Sequence, residues 1–139
     1  MTKSEFHLSL PCENLSKTIT FYTDVLGFQM GRSGSNWCDI NFMGHQITFN
    51  QARSAIDGGR AYKFENSILP SFHLGVILSR DKWEETYRSL EGKDLIMIAP
   101  IRFLSDKVGA HESFFIQDPD DYYIEFKCFD SEDAVFDSN

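Results

Sequence analysis

Residues 6–11 read FHLSLP and residues 72–79 read FHLGVILS. Each sets a histidine at the entry to an alternating segment, the period-two signature of a half-buried strand. In the first, Phe6, Leu8 and Leu10 share one face, and His7 and Ser9 share the other. In the second, Phe72, Leu74, Val76 and Leu78 oppose His73, Gly75, Ile77 and Ser79. Pro11 has no N–H to give a ladder and is expected to end the first strand. A helix is predicted after each segment. Asn14 is the expected cap of one, with Leu15, Ile19, Tyr22 and Val25/Leu26 at helical spacing and Gly27 as the stop. Asp81 is the expected cap of the other, with Trp83, Tyr87 and Leu90 on its face and Gly92 near its end. Phe6 to Phe72 is an offset of 66 residues and Leu15 to Trp83 one of 68, so the two stretches are copies of one unit.

Strand-like segments follow each helix. They are predicted at 28–33, 36–43 and 46–51, then at 95–102, 111–117 and 122–129. The glycine in MGH (residues 43–45) suits a hairpin turn, and DPDD (118–121) is rich in turn formers. Each half therefore reads β-α-β-β-β. The predicted fold is α+β: two tandem βαβββ modules forming a cupped mixed β-sheet with helices on the convex side. One domain, 1–139, is expected, made of module 5–51 and module 71–129. A loop, 52–70, joins them, and an acidic tail, 130–139, is expected to fray.

The chain carries 13 basic and 21 acidic residues, a net charge of −8, with no Lys/Arg cluster of the kind a nucleic-acid binder needs. No apolar run reaches the roughly 20 residues of a membrane span, and MTKSEFHLSLPCENL lacks the apolar core of a signal peptide. Cytoplasmic location, no nucleic acid and no membrane are the expectations. Cys12, Cys38 and Cys128 are odd in number and far apart, and read as small apolar fillers.

In YYIEFKCF (122–129) the apolar face is Tyr122, Ile124, Phe126 and Cys128, which leaves Tyr123, Glu125 and Lys127 opposite. A carboxylate amid large apolar residues is costly to bury unless paired or coordinated. With the strands in one cupped sheet, His7, His73 and Glu125 all point into the concavity. Two imidazoles and one carboxylate, with positions left open, suit Fe(II) and also Mn(II), Zn(II) or Ni(II).

Three stretches, FHLSLPCENLSKTITFYTDVLGF, FHLGVIL and DPDDYYIEF, resemble the opening, middle and closing motifs of the vicinal oxygen chelate superfamily: glyoxalases, extradiol dioxygenases, fosfomycin-resistance enzymes, methylmalonyl-CoA epimerases and bleomycin-resistance proteins. The resemblance runs from residue 5 to about 129. Residues 37–46 and PSFHLGVIL look like small members labelled dioxygenase-like. It implies metal ligands at His7, His73 and Glu125. It also implies a fourth position at Thr48, where glyoxalase I has a carboxylate, with Gln46 close by on the same predicted face. It implies a dioxygenase-like oxidoreductase acting on a small vicinal-oxygen substrate, with a divalent metal cofactor, Fe(II) favoured, and Tyr123, His45 or His111 as acid/base. The alternatives are an isomerase, epimerase, lyase or thiol transferase on the same scaffold, or a bleomycin-resistance-type binder whose groove Trp37, Phe42 and Phe103 would line. Arg102 and Lys107 read as surface charges. A homodimer is expected, because the sheets leave edges to cover.

Overall fold

The computed structural model describes residues 3–138, so Asn139 of the expected tail lies outside the described residues. The chain forms two compact units. One runs through Asp57 and includes Asp118–Asp120; the other holds Gly58–Gln117 and the residues from Asp121 onward.

In the first unit, strand β1 (His7–Cys12) leads to helix α1 (Leu15–Ile19), then to β2 (Gln29–Ser33), β3 (Trp37–Phe42) and β4 (His45–Gln51). The sheet order is β1-β4-β3-β2, with β1 parallel to β4 and the other pairs antiparallel. The strand runs through Pro11 to Cys12, past its expected end. β1 is an edge strand, where a missing N–H breaks no inner ladder. Phe6 lies outside the strand and is 60% exposed, so it does not face the helix as expected. Asn14 caps α1 as predicted, accepting from the Lys17 N–H at 3.1 Å. Beyond Ile19 the helix widens into a π-helical turn, Thr20–Val25. The wider turn shifts the buried stripe to Leu15, Thr18, Phe21 and Tyr22 and leaves Ile19 half-buried. Leu10, Cys12, Cys38, Ile40, Ile47 and Phe49 are buried on the alternate positions of the strands, and the Tyr22 ring packs on Phe49 at 4.8 Å. Met43 (φ 51°) and Gly44 (φ 92°) make the two-residue β3–β4 turn, whose positive φ at both positions matches the twist of a hairpin.

The second unit repeats the plan. β7 (His73–Ile77) is followed by α2 (Arg80–Gly92), β8 (Ile96–Phe103), β9 (His111–Gln117) and β10 (Tyr123–Phe129), in the order β7-β10-β9-β8. β7 and β10 are parallel. Ser79, not Asp81, caps α2; its hydroxyl accepts from the Lys82 N–H at 3.4 Å, and Asp81 sits in the first turn. Trp83 and Leu90 are buried, and Trp83 Nε1 donates to the Phe126 carbonyl at 2.8 Å, tying helix to sheet. Tyr122, Ile124, Phe126 and Cys128 form the apolar face of the last strand as read from the sequence.

Two segments differ from expectation. Residues 52–70 contain a hairpin, β5 (Tyr62–Phe64) and β6 (Ser67–Leu69), because Phe64 and Leu69 find an apolar surface on Phe103 and Phe115. The acidic tail includes a short 3-10 turn, Glu132–Val135, with Ala134 buried. All three cysteines are free and buried, as fillers are.

Candidate functional site

Strand parity decides which side chains leave the helix side of each sheet. On β10 these are Tyr123, Glu125 and Lys127, since Ile124 and Phe126 face the helix. Glu125 is 9% exposed. Opposite it on β7 stands Gly75, where an added Cβ would lie 2.0 Å from the Glu125 carbonyl oxygen. The absence of a side chain there lets the two backbones close up and fixes Glu125 beside the strand that bears His73.

His73 Nε2 lies 3.3 Å from Glu125 Oε1. Its other nitrogen, Nδ1, is 2.9 Å from the Pro70 carbonyl oxygen, which can only accept, so Nδ1 carries a proton and donates. In the neutral ring Nε2 is then a bare lone pair turned toward a carboxylate. The hydrogen bond with Glu125 pushes the His73 pKa up; burial opposes this, and the Pro70 contact reinforces it. Burial pushes the Glu125 carboxyl up, but His73, the nearby Ser113 hydroxyl and the Lys127 charge together hold it below the usual carboxylate range. Lys127 Nζ is 3.8 Å from Glu125 Oε1. Ser113 Oγ is buried with no hydrogen bond of full geometry among the described residues, a spare polar atom close to the carboxylate.

The wall around this pair is apolar. Phe115 is the β9 partner of Glu125, and it packs with Phe103 and Leu69, with Phe64, Ile98, Ile101, Leu104 and Tyr123 against that cluster. The His73 ring meets Phe115 edge-on at 5.4 Å.

The first unit carries different chemistry at the matching places. Thr48 pairs with Ser9 and Asp39 across β1, β4 and β3, as Glu125 pairs with Gly75 and Phe115 across β7, β10 and β9. The carboxylate stands one strand over, on Asp39, which is 4% exposed. Its Oδ1 accepts from Thr48 Oγ1 at 2.6 Å, and its Oδ2 accepts from Arg32 Nε and Gln46 Nε2, both at 3.1 Å. Burial pushes the Asp39 carboxyl up, yet these three donors outweigh it and hold it below its ordinary value.

The family model for the glyoxalase/bleomycin resistance protein/dioxygenase superfamily matches residues 6–126. The chain belongs to this superfamily. It is similar to a glyoxalase/bleomycin resistance protein/dioxygenase from Alicyclobacillus acidocaldarius (24% identity, TM-score 0.77, 96% of each chain covered). It is similar also to the fosfomycin resistance protein FosX from Listeria monocytogenes (17% identity, TM-score 0.66, 97% of this chain and 100% of that one). A third is a glyoxalase/dioxygenase from Nostoc punctiforme (14% identity, TM-score 0.63, 93% and 92%). No curated protein gives a significant match. At these identities the solved structures establish the glyoxalase fold alone.

Of the ligand positions read from the sequence of this glyoxalase-superfamily chain, the structure brings His73 and Glu125 together. His7 belongs to the first unit, exposed at the start of β1 and paired with Gln46. Among the described residues no group of three or more His, Cys, Asp and Glu is gathered for a metal. Tyr123 shares the face of Glu125, as expected, and pairs with His73 in the ladder. His45 opens β4, where its Nδ1 accepts the Phe6 N–H at 3.0 Å. His111 is held by the Gly109 carbonyl at 2.8 Å, and its ring lies against Phe103 and Phe129. Phe42 cannot line a groove: it is 2% exposed on the helix side, against Phe28. Phe103 lies inside the apolar cluster. Arg102 is a surface charge, as read, and it pairs with Asp130 at 2.5 Å and approaches Glu112. Sequence reasoning missed Asp39. The signal was present in WCDINF, a carboxylate in mid-strand between apolar neighbours, the same sign that marked Glu125. No helix of the described residues is long and apolar enough to cross a membrane.

Proposed function

We propose that this chain is a metal-dependent, dioxygenase-like enzyme acting on a small molecule that chelates through neighbouring oxygens. His73, Glu125 and His7 would hold a divalent ion, with Fe(II) favoured. The observation that carries the reading is the His73–Glu125 pair. A backbone carbonyl fixes the proton on Nδ1 and leaves Nε2 beside Oε1 at 3.3 Å, an arrangement typical of metal-ligating histidines. A bound ion would supply Lewis-acid activation and a template for two reactants. The chain's own residues supply the rest. Phe115, Phe103 and Leu69 exclude water from one side of Glu125. Tyr123, on the same face, would hold or move a proton at its phenol oxygen; His45 is the second candidate, at its Nε2. Within each unit's sheet the edge strands leave unpaired backbone groups, which supports a homodimer. Cytoplasmic residence is part of the same reading.

One observation favours a second reading, a non-catalytic small-molecule binder: Lys127 already neutralises part of the Glu125 charge, as a metal would. Metal analysis of anaerobically purified protein separates the two. Stoichiometric divalent metal in the wild type, lost in His73→Ala, supports the enzyme. A wild type that takes up no metal sinks it. Oxygen consumption then separates a dioxygenase from an isomerase, epimerase, lyase or thiol transferase on the same scaffold.

A further inference from the structure

The first unit holds an open depression of about 280 Å³ lined by Glu5, Arg32, Asp39, Asn41, His45 and Gln46. That is just under the usual range of ligand sites, roughly 300–1,000 Å³, and suits a small molecule. Its polar groups can be sorted by what their existing bonds leave over. Asp39 already accepts three hydrogen bonds, two on Oδ2 and one on Oδ1. Arg32 gives Asp39 only its Nε, and its guanidinium carbon lies 5.7 Å from the centre of the Trp37 ring. The side chain is 78% exposed, yet it is held at one edge and against one face. Both terminal nitrogens stay without a hydrogen-bond partner among the described residues. Asn41 spends its carbonyl oxygen on the Gly44 N–H at 2.7 Å, which leaves its amide hydrogens. His45 spends Nδ1 on the Phe6 N–H at 3.0 Å, which places its proton on Nε2. Gln46 spends its amide on Asp39 and keeps one acceptor oxygen.

Asp39, Asn41 and His45 thus turn acceptors to partners inside the structure, while the N–H groups of Arg32, Asn41 and His45 remain. A planar guanidinium fork with flanking N–H groups is the recognition chemistry of an oxyanion. Charge narrows the choice. Arg32 is balanced by Asp39, and the exposed Glu5 at the rim adds a negative charge. A dianion such as a phosphate meets that repulsion twice, and a monoanion once.

We propose that this depression is a carboxylate-binding site, taking the acid group of a small organic molecule on the Arg32 fork with Asn41 and His45 as flanking donors. Asp39 acts as a positioning residue: it orients Arg32 and does not itself meet the ligand. The site requires no metal and stands or falls apart from the metal reading.

The test is a titration of the full-length chain, with chelator present, by ligand-observed NMR. The probes are benzoate, its neutral isostere benzamide, and phenylphosphonate. Benzoate is expected to bind more tightly than either of the others. Arg32→Gln is expected to weaken benzoate about tenfold or more, the worth of a charge-assisted hydrogen bond. Arg32→Lys keeps the charge, loses the fork, and is expected to recover only part of that loss. Glu5→Gln is expected to strengthen phenylphosphonate relative to benzoate. Both Arg32 variants act on a donor of the buried Asp39, so a modest drop in melting temperature is expected for Arg32→Gln; the melting profile is measured alongside, and binding is titrated well below it. Benzoate binding that is absent in the wild type, unchanged in Arg32→Gln, or matched by benzamide overturns the proposal. Full affinity in Arg32→Lys overturns the role of the fork.

Discussion

The side of each sheet that carries no helix gathers a polar network in the first unit and, in the second, an aromatic cluster beside a carboxylate. In the first, Thr48, Gln46 and Arg32 converge on the buried Asp39. In the second, Phe115, Phe103, Leu69 and Tyr123 gather beside Glu125. The strand order and the ladder register are the same in both. A single rung reads Ser9–Thr48–Asp39 in one copy and Gly75–Glu125–Phe115 in the other. The backbone plan therefore sets where a side chain points, and the residue on each strand of the rung decides whether the place holds a polar network around Asp39 or a carboxylate beside a histidine. Asp39 has both oxygens engaged by donors from its own sheet. Glu125 has a histidine whose facing nitrogen is bare when the ring is neutral.

The contrast can be broken at its apolar end first. Phe115→Ala is expected to cost about 3–5 kcal/mol in denaturant unfolding, as for other buried aromatic truncations. A loss below about 1 kcal/mol would mean that the wall beside Glu125 is not a packed core. Gly75→Ala should be nearly as damaging, about 3 kcal/mol, because the methyl group meets the Glu125 backbone and not a movable side chain. The same variant is expected to weaken metal retention if His73 and Glu125 act together, and an unchanged metal content would separate backbone closure from ligand placement.

At the polar end, Asp39→Asn is expected to cost about 1–3 kcal/mol at neutral pH, since one of its three donors loses its acceptor. Its pH dependence carries a definite sign. The folded pKa lies below the ordinary 3.8, so the unfolded chain binds the proton first on acidification. The stabilisation from Asp39 is complete above 3.8 and is lost as pH falls below that value through the folded pKa. Denaturation of wild type and Asp39→Asn from neutral to acid pH should therefore give curves that converge below 3.8; parallel curves would rule out the network as their cause. The smallest effect compares the two caps. Asn14→Ala should cost about 1 kcal/mol and Ser79→Ala less, in line with bonds of 3.1 and 3.4 Å.

Much of this was legible in the chain because its signals are local. The alternation in YYIEFKCF assigned both faces of β10 correctly, and Asn14 sits where a capping residue must. The misses came from non-local facts. Pro11 stays in a strand because β1 lies at an edge, and edge position is a property of the assembled sheet. The hairpin within residues 52–70 forms on a surface made by Phe103 and Phe115, thirty or more residues further on. Asp39 depends on Arg32, Gln46 and Thr48 arriving from two other strands. Ser79 displaced Asp81 as the cap because the second helix begins two residues sooner than the acidic signal suggests.

The β5–β6 hairpin has a thermodynamic consequence of its own. Two strands of three residues each are too short to hold together in water, so this ribbon persists through the grip of Phe64 and Leu69 on the sheet below. Its opening free energy is accordingly set by two side chains, while that of β9 and β10 approaches the global value. Amide protons of residues 62–69 should exchange with solvent well before those of 111–117, and each such excursion would bare Phe103 and Phe115 to water while the strands that carry His73 and Glu125 stay folded.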